Sequence, residues 1–306
     1  MDRDRARASD MHRDAAVVIV LAAIASGASG ASHDAGVPTR HDWQLVDGKH
    51  WTIVSEGVED MAVTDALERT NGPCRMGMVE VAGRMKLDGP AGSVEMLQDR
   101  TCTKWIRREF PARCGAFDRA MWLDASPALP TKEMRFCIDR FEYPNRKGAY
   151  PLIFVTWREA GTLCTRQAKR LCTEDEWTFS CESEESVPYP YGYTRDEEAC
   201  VIDRPHRPFD DRRFSPRDGS AIESELDRLW QGERSGARPG CRSPFGVYDL
   251  TGNVDEWTAS TQVGGYRSIL KGGYWGRIRA RCRPSTRAHG EDFAFYQQGF
   301  RCCADR

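Results

Sequence analysis

The stretch Phe245-Gly246-Val247-Tyr248-Asp249-Leu250-Thr251-Gly252-Asn253-Val254-Asp255-Glu256-Trp257 carries the most information in the chain. Asp249 and Glu256 are hard oxygen donors. The Gly252-Asn253 turn between them can direct the backbone carbonyls of Gly252 and Val254 inward, which is the donor chemistry calcium uses. A tight turn with two solvated carboxylates accounts for the same spacing, so the stretch alone leaves both readings open.

Upstream, two helices announce themselves by their caps. Thr156-Trp157-Arg158-Glu159 is a capping box, and Ala160, Leu163, Cys164 and Ala168 then fall on one helical face. Thr173-Glu174-Asp175-Glu176 repeats the box, followed by Trp177, Ser180 and Cys181 at helical spacing. Each helix presents a cysteine on its buried side. Arg204 to Gly240 is charged and rich in Pro and Gly, with one amphipathic turn at Ile222, Leu226 and Leu229. It reads as a surface excursion with too little apolar surface to bury.

Nearer the N-terminus, Met76 to Met85 puts Val79 and Val81 on one side of a short strand closed by Gly83. Residues 32–73 are polar and without a sustained period, which predicts a mobile arm or a short appended segment. Ala125 to Lys132 reads as a linker. The expected organisation is therefore an arm over 32–73, an N-terminal extension over 74–133 and the main domain over 134–306.

Ala15 to Ala25 is an uncharged apolar run preceded by Arg13 and followed by small residues, the outline of a signal peptide over residues 1–31. Between Met1 and Asp14 the Arg and Asp residues cancel, so Met11 is an alternative start. The run is too short to span a bilayer, and no cysteine directly follows it to take a lipid. The expectation is an exported protein, periplasmic or extracellular, with no membrane anchor after cleavage. Twelve cysteines, an even number, suit pairing in an oxidising compartment.

A length of 306 residues allows two domains, or one with extensions. A net charge of -2 gives no electrostatic reason to expect a nucleic-acid partner. Cys-x-x-Cys, His-Glu-x-x-His, phosphate-cradling glycine loops and Gly-x-Ser-x-Gly are missing from the sequence. His289, within Arg287-Ala288-His289-Gly290-Glu291-Asp292, is the one histidine in a potentially functional setting, with a solvated loop as the alternative.

Five blocks then occur in order: Val155 to Ala160, Lys169 to Trp177, Gly246 to Trp257, Leu270-Lys271-Gly272-Gly273, and Gly299-Phe300-Arg301-Cys302. Together they resemble the formylglycine-generating enzyme, or sulfatase-modifying factor, family over roughly Met134 to Asp305. Cys74 to Met85 resembles that family's opening strand. The resemblance implies a compact, loop-rich α+β fold related to C-type lectin folds and stapled by disulfides. It implies calcium held by Asp249, Gly252, Val254 and Glu256, and it implies the pairs Cys164–Cys302 and Cys181–Cys282. For the other cysteines, proximity or the bracketing of an insert suggests Cys102 with Cys114 and Cys200 with Cys241. Cys137 is expected to meet Cys172, which leaves Cys74 with Cys303.

Members of this family that make formylglycine bind copper with two thiolates, a soft set suited to Cu(I), and oxidise a cysteine of a sulfatase. Both ligands lie between the Gly-Gly motif and the disulfide cysteine matched here by Cys282. In this chain that interval is Tyr274 to Arg281, shorter and without cysteine, so copper is not expected. Tyr274 replaces the usual serine, and Asp255 replaces the usual aromatic residue before Glu256-Trp257. Arg277, Arg279, Arg281 and Arg283 make the interval basic. With Tyr274, Trp275 and His289 they could line a groove for an anionic or carbohydrate ligand, or they could be the solvated face of a strand whose inner side is Ile278 and Ala280. The expected function is a non-catalytic, calcium- and disulfide-stabilised binding or structural module for a protein, peptide or carbohydrate, with no catalytic residue nominated. The competing expectation is a formylglycine-generating oxidase, for which Cys302-Cys303 is the adjacent pair to nominate.

Overall fold

The structure is a computed structural model, described over residues 41–56, 73–90, 92–107 and 113–306. The signal-peptide segment and much of the expected arm lie outside the described residues. One antiparallel sheet is built on β3 (Met78–Lys86), which pairs β6 (Thr131–Asp139) from Met78 opposite Asp139 to Lys86 opposite Thr131. β12 (Cys302–Ala304) and β7 (Arg170–Leu171) extend it in the order β3-β6-β12-β7.

The second sheet runs β10 (Ser285–Thr286), β9 (Ser268–Lys271), β8 (Asp255–Ala259), β11 (Gln298–Phe300), with β11 parallel to β8. Arg301 alone separates β11 from β12, so one extended segment runs from the edge of the second sheet into the interior of the first. β1 (Trp43–Val46) with β2 (His50–Ile53), and β4 (Cys102–Arg107) with β5 (Arg113–Phe117), form two further ribbons. Helices are short: α1 (Val94–Arg100), α2 (Arg119–Ala125), α3 (Trp157–Arg166), α4 (Glu174–Glu182) and α5 (Ser220–Leu229). The fold is α+β and rich in loops. Among the described residues no helix is long and apolar enough to cross a membrane.

Both capping boxes form. Thr156 and Thr173 accept from the backbone N–H of Glu159 and Glu176, each at 3.2 Å, and those glutamates reach back to the cap N–H at 2.9 and 2.8 Å. Loss of such a cap typically costs about 1 kcal/mol. The helices so started bury Leu163 and Cys164 on α3, and Trp177, Phe179 and Cys181 on α4, against the sheets.

Six disulfides take up all twelve cysteines: Cys74–Cys137, Cys102–Cys114, Cys164–Cys302, Cys172–Cys303, Cys181–Cys282 and Cys200–Cys241. The expected Cys137–Cys172 and Cys74–Cys303 pairs are therefore wrong, and the pleat explains why. Cys303 lies opposite Ile138 on β6, so it faces the core that holds Cys172. Cys137 is one residue away and points to the other face, toward the chain entering β3.

Three other expectations are corrected. The strand at Val79 and Val81 does not close at Gly83 but runs on to Lys86 and buries Met85. Part of the expected arm is the β1–β2 hairpin, whose Trp43, Trp51 and Ile53 join a core cluster. That same cluster takes Phe214, Ile222, Leu226, Leu229 and Trp230, so 204–240 contributes to the core. Its few apolar residues suffice because α5 presents Ile222, Leu226 and Leu229 on one face.

Candidate functional site

β8 divides the site in two because successive side chains point to opposite faces. On one face, beneath the turn preceding β8, lies a buried polar cluster. Asp249 and Asn253 adopt left-handed conformations, φ 58° and 54°, which short polar side chains tolerate better than most. Gly252, at φ 81°, sits where a Cβ would lie 2.2 Å from the carbonyl of Val201, so only glycine fits. The turn brings Asp249 Oδ2 to the N–H of Gly236 at 2.7 Å. Asn253 donates to Glu142 Oε2 at 2.7 Å, and Ser235 donates to the same oxygen at 2.8 Å.

Glu256 is fully engaged. Arg301 grips it through two bonds of 2.6 and 2.7 Å, and the indole N–H of Trp177 adds a third at 2.8 Å. Burial, then the charges of Asp249 and Glu256, push Glu142 well above the usual carboxyl range. Burial likewise raises Asp249 to about 7. Three buried carboxyl groups thus face one guanidinium, and the surplus negative charge is held off by protonation or by a further cation.

That charge, with the Asp249 carboxylate beside the Gly252 turn, suits a hard cation. Glu256 differs from a free ligand in that both its oxygens already serve Arg301. Among the described residues no three His, Cys, Asp or Glu side chains form a metal-binding group. Any ion here would therefore depend on the backbone carbonyls of Gly252 and Val254 as well. Glu142 was missed by the sequence reading. Its signal is an acid between Phe141 and Tyr143, three residues past the end of β6.

On the other face of β8 a cavity of about 520 Å³ opens. Its walls include Phe209, Tyr274, Phe293 and Phe295, and Asp255 and Gln298 also line it. Asp255 Oδ1 accepts from the N–H of Gly273 at 3.2 Å, and burial raises its pKa to about 7. The ring of His289 stacks on Phe293 at 4.1 Å and 7°, and burial lowers its pKa.

The other expected groove residues disperse. Trp275 is 1 % exposed and packs edge-on against Trp230 in the core, so it does not edge a groove. Arg277 is exposed and outside the cavity lining. Arg279 is on the lining but pairs with Glu95 at 3.3 Å. Arg281 is buried against Glu95 and Asp99, and Arg283 pairs with Glu182. The segment is neither a basic groove nor the strand weighed against it. Acidic partners from α1 and α4 neutralise three of its four guanidinium groups.

These features coincide with a family assignment. The sequence profile of the sulfatase-modifying factor enzyme 1-like domain matches residues 107–306, and the chain belongs to that family. It is 30% identical over 169 residues to the inactive C-alpha-formylglycine-generating enzyme 2 of Mus musculus, covering 50% of this chain and 49% of that protein. The Bos taurus counterpart is 28% identical over 202 residues, covering 61% and 57%. The formylglycine-generating enzyme of Mus musculus is 24% identical over 189 residues, covering 51% and 44%. The chain spans about half the length of these relatives. Among solved structures, CarF aligns at 13% identity over 75% of this chain and 98% of its own, with a TM-score of 0.47. PvdO from Pseudomonas aeruginosa aligns at 16% over 75% and 94%, with a TM-score of 0.45.

Proposed function

We propose that this chain is an exported, non-catalytic member of the family, a binding module stabilised by disulfides and calcium, with the cavity beside β8 as its ligand site. One observation carries the loss of catalysis: every cysteine sulfur is bonded to another, leaving no thiolate for Cu(I). The interval from Tyr274 to Arg281, where active members carry their copper cysteines, offers no sulfur ligand. The relatives named inactive enzymes support the same reading.

Calcium, if bound, would be held by Asp249 with the carbonyls of Gly252 and Val254, and Glu256 would add charge. It would neutralise the surplus carboxylates and lock the turn. Disulfide density supports export, since such bonds persist in oxidising compartments.

The test is to alkylate the oxidised protein under native and then denaturing conditions without reductant, and to weigh it intact. The expected mass carries no adduct. Two alkylated cysteines close together, with copper-dependent oxygen uptake on a cysteine peptide, would instead make the chain an oxidase.

A further inference from the structure

A separate cavity of about 430 Å³ lies between the turn joining β1 to β2 and the helix α3, and its lining shares no residue with the cavity beside β8. The turn is closed by the N–H of Lys49 on the carbonyl of Val46 at 3.2 Å, with Asp47 and Gly48 left-handed at φ 52° and 69°. It brings Asp47, Lys49 and His50 to one wall. On the other wall Arg158, Thr162 and Arg166 follow at four-residue steps, so they stand in a row along α3, about 6 Å apart.

The charges around this cavity are unevenly satisfied. Glu159 also lines it, but its carboxylate is fully engaged from within the fold. Arg217 donates to its two oxygens at 3.2 and 3.0 Å, the N–H of Thr156 donates at 2.9 Å, and His50 Nε2 stands 3.3 Å away. With Arg217 balancing Glu159, the ammonium of Lys49, 3.2 Å from the same carboxylate, is a surplus charge. Arg166 pairs with Asp47 at 3.1 Å, and Arg158 pairs with Asp292 at 3.0 Å, outside the lining. The side chains of Lys49, Arg158 and Arg166 are 48, 59 and 64 % exposed. Ion pairs so exposed contribute little, so little holds these cations against a better acceptor.

We propose that this cavity binds a tetrahedral oxyanion, the phosphate or sulfate group of a small ester, between Lys49, Arg158 and Arg166. Guanidinium forks match two oxygens of such a group at once, and an ammonium takes a third. Thr162, small and placed between the two arginines, leaves room for it. A cationic ligand would meet three like charges, and the acid left to greet it, Asp47, already serves Arg166. A planar carboxylate has two oxygens and uses fewer of the three donors. The site goes beyond the ligand cavity assigned above and stands whether or not the chain is catalytic.

The experiment titrates the full oxidised chain, in calcium-free buffer at fixed ionic strength, with inorganic sulfate, inorganic phosphate and acetate. Glucose 6-sulfate and glucose 6-phosphate then distinguish the two kinds of ester. At least one tetrahedral anion is expected to bind one-to-one and ten or more times tighter than acetate. Arg158→Gln and Arg166→Gln should each weaken it at least fivefold, while Arg277→Ala, outside the cavity, should bind unchanged. If the arginine variants fail to fold, Lys49→Gln carries the same test. Equal binding of acetate, binding that does not saturate at one-to-one, or full binding by the Arg158→Gln, Arg166→Gln double variant would overturn the site. Loss of this binding with every cysteine still bonded would leave the non-catalytic reading intact. Free thiols with intact oxyanion binding would sink that reading alone.

Discussion

Glu256 and Asp255 are neighbours on β8 with opposite fates. Glu256 points into the protein, where Arg301 and Trp177 donate three hydrogen bonds to it. Asp255 points to the cavity, with one bond to a backbone N–H and a carboxyl group whose charged form is disfavoured. Burial thus conceals two kinds of acid: one whose partners are all supplied by the fold, and one left under-partnered beside open space. The first kind holds the sheets together, and the second leaves hydrogen-bonding capacity unmet beside the cavity.

The sharpest way to break this comparison is Arg301→Met. It leaves Glu142, Asp249 and Glu256 buried without their guanidinium, and a loss of about 3–5 kcal/mol in denaturant unfolding is expected, as for other halved buried pairs. A loss below about 1 kcal/mol would mean that the cluster takes up protons freely and that Glu256 is no more committed than Asp255.

Replacing Cys164 and Cys302 together with alanine should cost about 2–5 kcal/mol. It removes a link across 138 residues that ties α3 to β12. Chelation addresses the same face. If calcium occupies the Asp249 turn, saturation at about 100 times its Kd adds about 2.7 kcal/mol, and Asp249→Asn should lower Tm in calcium but hardly in chelator. Equal losses in both buffers would leave the surplus charge to protons.

The smallest expected effect concerns Asp255 and sharpens the contrast most. Its folded pKa is raised above the unfolded value of 3.8, so between about pH 4 and 7 the folded state binds more protons than the unfolded one. Stability contributed by this group is therefore greatest in acid and falls as pH rises toward 7. Asp255→Asn should flatten that slope and leave the protein about 1–2 kcal/mol more stable than wild type at pH 8. A stability profile that Asp255→Asn does not alter would make Asp255 as fully partnered as Glu256.

Much of this was legible in sequence wherever the signal is local. The capping boxes at Thr156 and Thr173 need four residues each, and the Gly252-Asn253 turn needs two. What failed was long-range or depended on which face a side chain takes. The pairing of Cys137 turns on a one-residue alternation in β6 that cysteine spacing does not encode. Trp275 looked like a groove edge because its core partner Trp230 lies in a charged segment that reads as surface. Glu142 carried no metal-ligand spacing, and its role arises only when the Asn253 turn folds down upon it. Asp255 stood out as a departure from the family pattern, but its partner Gln298 is fixed by a parallel register that no short motif records.

The segment Gln298 to Ala304 pairs with β8 in one sheet and with β6 and β7 in the other. Its partners all precede it, β6 by more than 160 positions. A chain made from its N-terminus therefore waits with two open sheet edges until these few residues arrive, and fast local folding is ruled out by connectivity rather than by composition. During that interval the exposed edges are sites where chaperones and thiol-disulfide exchange catalysts can act. Connectivity of this kind predicts slow accumulation of native protein however stable the finished core.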